Sequence, residues 1–527
     1  MASTICMIFP ICLVENRNEK LTVNRQALQI LTSISKPVLV VAIVGPCRTG
    51  KSYLMNRLAG KNRGFDLDPR EGIWMWCINH PRKDDHVLVL LDTEGIGDEE
   101  KDNSKNHSWI FALAILLSST LIYNSKDIIN HQTLEQMHYI TDLPKLIKFK
   151  SSPNALGEED SAEFVGFFPD FVWTVRDFNQ DGHPINPDEY LENALKLTKG
   201  QDPKFQMANL SRECIRKFFP EQKCFTFICP TNNMSSLVHL EDVQESQLEP
   251  VFKDQTKKFC FYIFSNVKPK ILNGNIIVNG NWLGKLLESY VKAISSREIP
   301  CLENAMLTLA QIENKAAFQK ASNHYKEQMN RKVNFPTESL QDLLKLHTVC
   351  AKEAISIFMK LSFKYNMHNF QKDLMHMLET KKNDFILRNK EESTKDCQTK
   401  LKKTSKTLKK AISKGKYSVP GGYKLYRKER EEMINKYHQE SRKMVKADEV
   451  LQNFLQTLAQ KENSILKRDQ TLTDQEKALE VERVKREAAE EKNKLLEQQQ
   501  KEMQQMMEAQ KRSYEENISQ LKKDGGR

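Results

Sequence analysis

An unbroken apolar run, Val38-Leu39-Val40-Val41-Ala42-Ile43-Val44, opened by Pro37, stands out in the first part of the chain. Continuous β-branched residues over this length predict a strand buried on both faces, the kind found in parallel sheets. A second run, Val87 to Leu91, ends in Asp92, and a third, Phe171 to Val175, leads into Arg176-Asp177. Between them Ile73 to Ile78 reads as an aromatic strand and Tyr53 to Ala59 as a helix ending at Gly60. The apolar stretch Ile110 to Ile122 is too short to span a bilayer and reads as a buried helix running into a buried strand. Leu21, Ala27, Leu28 and Leu31 have helical spacing and predict a helix from about Leu21 to Ser35. Strands alternating with helices predict an α/β domain, a mixed, mostly parallel sheet with helices on both faces.

Past Pro300 the pattern changes to all-α: long helical stretches with sparse glycine. Cys301 to about Met329, Thr337 to Phe363 and roughly Asn369 to Ile412 read as amphipathic helices, punctuated by Phe335-Pro336-Thr337 and Val419-Pro420-Gly421-Gly422. The methionines and aromatics of this half read as packing between helices. Thr473-Asp474-Gln475-Glu476 has the form of a capping box, and the helix it opens continues to Lys523, about 75 Å long. Val481, Val484, Ala488 and Leu495 begin a heptad, but Glu491, Gln498 and Glu502 interrupt the seam, so no firm coiled coil is specified. The charged run from Glu480 to Glu497 reads as a solvated face.

Composition narrows the classes. A chain of 527 residues, 39% hydrophobic and 28% charged, divides into at least two domains. The net charge of +11 comes from 80 Lys and Arg against 69 Asp and Glu, both signs interspersed. No basic patch carries interleaved aromatics, which disfavours nucleic acid as a partner and with it a nucleic-acid-dependent ATPase. Eleven cysteines without CxxC spacing suggest neither a disulfide framework nor a zinc site, and point to the cytoplasm. Ile8 to Val14, broken by Pro10 and lacking a basic leader, makes a poor signal peptide, and Asp524-Gly525-Gly526-Arg527 is no prenylation box.

The candidate chemistry begins directly after the first strand, at Gly45-Pro46-Cys47-Arg48-Thr49-Gly50-Lys51-Ser52. Gly45 and Gly50 let backbone N–H groups turn inward around phosphate oxygens, Lys51 adds a point charge, and the Ser52 hydroxyl can ligate magnesium. Pro46, near the loop entrance, is neutral. Asp92 at the end of the second strand brings a carboxylate beside this loop, where it can hold magnesium through water, and Gly95 lets an N–H reach a γ-phosphate. Asp177 at the end of the third strand can accept both adjacent donors of guanine. The usual guanine signature has Asn-Lys before its variable residue; here Thr174 and Arg176 stand in those places.

The stretches GPCRTGKSYLMN, LLDTEGIGD, TVRDF, DEYLENAL and CLENAMLTLAQ resemble those of the guanylate-binding proteins, interferon-inducible large GTPases of the dynamin superfamily. The resemblance implies a GTPase domain over residues 1–300, a helical middle domain over 301–472 and a C-terminal effector helix over 473–527, shorter than in its relatives. It implies GTP as ligand with Mg2+, pairing as a homodimer or hetero-oligomer with related GTPases, and a role in cell-autonomous innate defence. Localisation would be cytoplasmic, with recruitment to vesicles or a pathogen-containing vacuole membrane. Arg48 matches the internal arginine finger; Arg48, Lys51 and Glu94 are the implied catalytic residues. Gly45, Thr49, Gly50, Ser52, Tyr53, Asp92, Thr93, Gly95, Arg176 and Asp177 join these three as nucleotide-binding residues, with Ser52 and Asp92 on the metal.

Two departures mark this sequence. The first switch, which in the family holds a Ser and a Thr, is reduced to Asp66-Leu67-Asp68-Pro69-Arg70-Glu71, and no serine or threonine occurs from Tyr53 to Leu91. Slow hydrolysis is the expectation, and a hydrolysis-impaired binding partner of active relatives is the alternative reading; Thr93 or Ser104 from the second switch could replace the missing hydroxyl. Ile228-Cys229-Pro230 stands where relatives tend to have Asp-Arg-Pro over the base.

Overall fold

The computed structural model describes residues 7–17, 20–65, 71–96, 104–150, 165–178, 186–198, 203–219, 221–233, 237, 240, 242–272, 275–419, 421–441, 444–469 and 474–525, with side chains except at 104–105, 203–204, 474–478 and 520–525. The first-switch segment Asp66 to Arg70, the Ser104 side chain and the Thr473 cap lie outside the described residues. The chain packs as two compact units, Met1–Gln311 and Ile312–Arg527.

The first unit is built on an eight-stranded mixed sheet. Its strands are β1 (Ile11–Arg17), β2 (Lys20–Val23), β3 (Val38–Val44), β4 (Ile73–Asn79), β5 (Val87–Thr93), β6 (Thr120–Lys126), β7 (Asp170–Arg176) and β8 (Gln222–Thr226). They lie in the order β2-β1-β4-β5-β3-β6-β7-β8, with β5, β3, β6, β7 and β8 parallel and β4, β1 and β2 added antiparallel at one side.

Every residue of β3 is buried, as the uninterrupted apolar run requires of a strand covered on both faces. Leu39, Val41 and Ile43 pack under α2 (Lys51–Leu58) and the Pro250–Asn266 helix, sharing a core with Leu54, Met55, Leu58, Phe252 and Phe259. The opposite face is covered by α3 (Ser104–Leu117). Ile110 to Ile122 thus divides between α3 and β6, as read from the sequence.

The N-terminal part differs from its sequence reading. Leu21, assigned to a helix, lies in β2, and the helix α1 runs only over Arg25–Thr32. Asn24 explains the boundary: its side chain accepts from the N–H groups of Gln26 and Ala27, starting the helix there. The Ile8 to Val14 stretch contributes to β1.

The second unit is helical. Helices Leu340–Leu361, His368–Thr404, Lys406–Ser413, Gly422–Ser441, Ala447–Arg468 and Asp474–Gly525 follow Leu302–Lys332, which crosses the boundary between the units. The expected single helix from Asn369 to Ile412 is two, divided at Ser405, and the helix read from Thr337 to Phe363 runs over Leu340–Leu361, capped by Ser339. Tyr325, Cys350, Ile355, Phe358 and Leu374 centre one core; Leu401, Tyr417, Tyr426, Tyr437 and Leu458 centre another. These aromatics, with Met329 and Met433, are packing residues. The 52-residue Asp474–Gly525 helix touches these cores through Val481, Val484 and Met506. Polar bonds do the rest: Gln510 to Glu379 at 2.9 Å, Arg427 to Glu480 at 2.8 Å and Lys352 to Glu516 at 3.2 Å. Among the described residues no helix is long and apolar enough to cross a membrane.

At the amino end of β3, Lys270 donates its backbone N–H to Val38 and its buried ammonium to the carbonyl of Ser118 at 2.7 Å. Burial pushes its pKa down to about 7. Between pH 7 and the ordinary lysine value the unfolded chain therefore binds one proton more than the folded chain, and stability rises with pH by up to about 1.4 kcal/mol per unit. Denaturant titrations at pH 7, 8 and 9 should show that slope in the difference between the wild type and Lys270→Met, the variant being the less pH-dependent of the two.

Candidate functional site

The register of the parallel strands brings the chemistry together. Ile43 lies beside Asp92, Val44 beside Tyr123, and Lys126 beside Arg176, so the loop after β3 and the ends of β5, β6 and β7 open at one edge of the sheet. β3 has β5 on one side and β6 on the other, the position in an open α/β sheet where connections diverge and a crevice forms.

The Gly45–Gly50 loop is held by its surroundings. Gly45 has φ 143°, and a Cβ there would stand 2.1 Å from the backbone oxygen of Asn124. Gly50 takes φ 85° at the N-terminus of α2, with no side chain capping the helix, which leaves its first N–H groups directed at the loop. The Lys51 ammonium reaches back to the carbonyls of Gly45 at 3.2 Å and Pro46 at 2.9 Å. Burial lowers its pKa, and Asp92, Cys47 and Glu94 pull the other way. Thr49 is buried, its hydroxyl donating to Pro46. Arg48 is exposed and has φ 57°, a left-handed conformation that costs a non-glycine residue about 1 kcal/mol or more.

Ser52 Oγ donates to Asp92 Oδ2 at 2.6 Å, which joins the two residues expected to share a metal. The next residues along β5 are engaged elsewhere. The Thr93 hydroxyl donates to the Ile43 carbonyl at 2.8 Å. Glu94 accepts from Asn16 at 2.8 Å and from the backbone N–H of Gly72, with His107 3.6 Å away. One carboxylate thereby braces β1, the residue before β4, and α3. Gly95 is followed by Ile96, whose N–H donates to the Gly45 carbonyl at 3.1 Å, tying the second switch to the loop.

Asp177, the residue expected to read the base, directly follows β7 with φ 54° and a partly exposed carboxylate 3.7 Å from Lys126. Arg176 is only 4% exposed. Its guanidinium lies 5.2 Å from the ring centres of Phe227 and Phe252 and 5.7 Å from that of Tyr53, and burial lowers its pKa against the attraction of Tyr53 and Asp177. A Cβ on Gly50 would come within 3.4 Å of it. Tyr53 is buried in the core beneath α2, its hydroxyl accepting from Arg57. In the loop after β8, the Ile228 N–H donates to Gln255 Oε1 on the Pro250–Asn266 helix at 3.0 Å.

Sequence reasoning missed the supports. Asn124, on β6, donates to the Thr49 carbonyl at 2.8 Å and accepts from Thr174 at 2.6 Å. Asn16 is linked to Asn106 on α3 as well as to Glu94. The only sequence signal for Asn124 was a polar residue closing the apolar run Leu121-Ile122-Tyr123. Among the described residues every cysteine is a free thiol, and no three His, Cys, Asp or Glu side chains gather as a metal site.

Two family descriptions match in sequence: Guanylate-binding protein, N-terminal domain, over residues 18–272, and Guanylate-binding protein, C-terminal domain, over residues 274–524. Human guanylate-binding protein 6 is 56% identical over 525 residues, covering 98% of this chain and 83% of the relative. Human guanylate-binding protein 7 is 55% identical over 99% of this chain and 83% of its own length. Human guanylate-binding protein 1 is 52% identical over 93% of this chain and 84% of its own. With both halves matched and more than half of the residues shared, the chain belongs to the guanylate-binding protein family.

Proposed function

We propose that this chain binds GTP with magnesium and acts as a self-assembling large GTPase in cell-autonomous defence against intracellular pathogens. The observation that carries the reading is the convergence of the Gly45–Ser52 loop, Asp92 and Asp177 at one sheet edge, with Ser52 and Asp92 already bonded. Their hydroxyl and carboxylate are hard oxygen donors, a set that fits magnesium, which when bound supplies positive charge to the phosphate oxygens. Lys51 and the loop N–H groups hold the phosphate chain, and Asp177 takes the two guanine donors. Arg48, exposed at the loop tip, is available to meet charge in the transition state when two such domains pair, as a homodimer or with related GTPases. For Glu94 to take part in catalysis, one of its bonds to Asn16 or Gly72 must give way to water.

The division into a GTPase domain (1–300), a helical middle domain (301–472) and an effector helix (473–527) belongs to the same reading. So does cytoplasmic residence with recruitment to a vesicle or vacuole membrane.

A second reading, that turnover is impaired and the chain acts by binding active relatives, has a specific support. No hydroxyl lies between Tyr53 and Leu91, and that of Thr93 is committed to the Ile43 carbonyl. A switch hydroxyl completes the magnesium shell and closes the loop over the γ-phosphate. Without it, water is poorly held, and the arginine finger cannot make up the loss.

Asp177→Asn should remove the preference for GTP over ATP, since an amide cannot accept both guanine donors; a loss of about 10- to 100-fold in GTP affinity fits charge-assisted bonds. Equal stabilisation of the wild type by ATP and GTP in a thermal-shift titration would sink the assignment. Lys51→Ala should abolish nucleotide binding, whereas Arg48→Ala should keep affinity within a few-fold and lower single-turnover hydrolysis by about a thousandfold. Comparable affinity losses in the two variants would make Arg48 a ground-state ligand. A chimera carrying a longer Ser/Thr-containing loop between Phe65 and Gly72 should hydrolyse GTP faster than the wild type in single turnover, and an equal rate would remove the impaired reading.

A further inference from the structure

Asn124 and Thr174 sit beneath the phosphate loop on the neighbouring strands β6 and β7, register partners and both 0% exposed. Asn124 lies outside the loop, the switches and the guanine motif; Thr174 opens the stretch that ends in Asp177 but has its own side chain turned to β6. Buried polar side chains persist only where their bonds are satisfied, and here each bond has a direction.

The Asn124 Nδ2 amide donates to the Thr49 carbonyl at 2.8 Å. In a planar trans peptide the carbonyl and the following N–H point opposite ways. Holding the Thr49 carbonyl down onto β6 therefore turns the N–H of Gly50 up, toward the concave side of the loop where an anion is received. The other end of the loop rests on the same residue, because the Asn124 backbone oxygen leaves no room for a Cβ at Gly45.

An amide side chain does this only in one of its two orientations. Flipped, its oxygen would face the Thr49 carbonyl, acceptor against acceptor. The Thr49 carbonyl, which can only accept, sets that orientation, and Thr174 secures the other end of the amide: its hydroxyl donates to Asn124 Oδ1 at 2.6 Å. The Tyr123 carbonyl lies 3.4 Å from the same hydroxyl, but one hydrogen serves one short bond, and the shorter contact takes it.

We propose that Asn124 and Thr174 are a relay of positioning residues, linking the base-reading strand β7 to the phosphate loop and setting affinity for the β-phosphate of a guanine nucleoside diphosphate without touching it. The proposal rests on the guanine-nucleotide reading of this site.

The full-length chain is tested with fluorescent GDP and GMP, alongside thermal unfolding without nucleotide. Asn124→Ala should weaken GDP binding tenfold or more while changing GMP by less than twofold, since GMP lacks the β-phosphate. Thr174→Val should weaken GDP selectively as well, and Thr174→Ser, which keeps the hydroxyl, should restore it. Equal losses for GDP and GMP, an unchanged GDP affinity in Asn124→Ala, or a Thr174→Ser as weak as Thr174→Val overturns the relay. If Asn124→Ala does not fold, the Thr174 pair decides. A wild type that binds GDP beside a silent Asn124→Ala overturns the relay alone; a wild type that binds neither nucleotide overturns the guanine reading and the relay with it.

Discussion

A loop that receives an anion through backbone N–H groups must hold several peptide planes in one orientation, and water competes for every donor. That constraint governs the first unit. β3 is buried on both faces so that its end is fixed, Gly45 is pressed against Asn124, Lys51 closes back on two loop carbonyls, and Ile96 fastens the second switch to the same Gly45 carbonyl. The supports come from different parts of the chain: β6, α2 and the segment after β5. The site is thus a property of the sheet edge and not of the loop sequence alone.

The parts legible in the sequence were those with local signatures. β3 and the loop, β5 ending in Asp92, and β7 ending in Arg176-Asp177 each declare themselves within about ten residues, through an apolar run and what closes it. What stayed hidden depends on pairing across the chain. Asn16 meets Glu94 over 78 positions and Asn124 meets Thr174 over 50, and nothing near any of the four residues specifies the other. The helix read from Leu21 failed for a local reason: Asn24 is a strong cap, and the residues before it alternate as a strand beside β1. The break at Ser405 has no comparable signal, since the residues on both sides of it favour a helix.

The second unit obeys a simpler rule. Its aromatic and sulfur side chains interlock between helices, and among the described residues no three His, Cys, Asp or Glu side chains gather as a metal site. The Asp474–Gly525 helix is bound differently, by few apolar residues, the ion pairs Lys352–Glu516 and Arg427–Glu480, and the hydrogen bond from Gln510 to Glu379. Such pairs contribute little each. The attachment is therefore spread along the helix and strengthened at low ionic strength.

The sheet order has a consequence for how the protein is made. β3 is the first of the five parallel strands to leave the ribosome, yet its partners lie far downstream: Val38 pairs with Val87 and Val41 with Thr120, separations of 49 and 79 residues from these two register pairs. At translation rates of roughly 5–20 residues per second, a seven-residue β-branched segment without charge waits on the order of several seconds for the nearer partner and longer for the other. Segments of that composition are prone to pair with other chains while unprotected. The strand from which the proposed nucleotide site is built is therefore open to mispairing for longer during synthesis than a strand paired through a short hairpin.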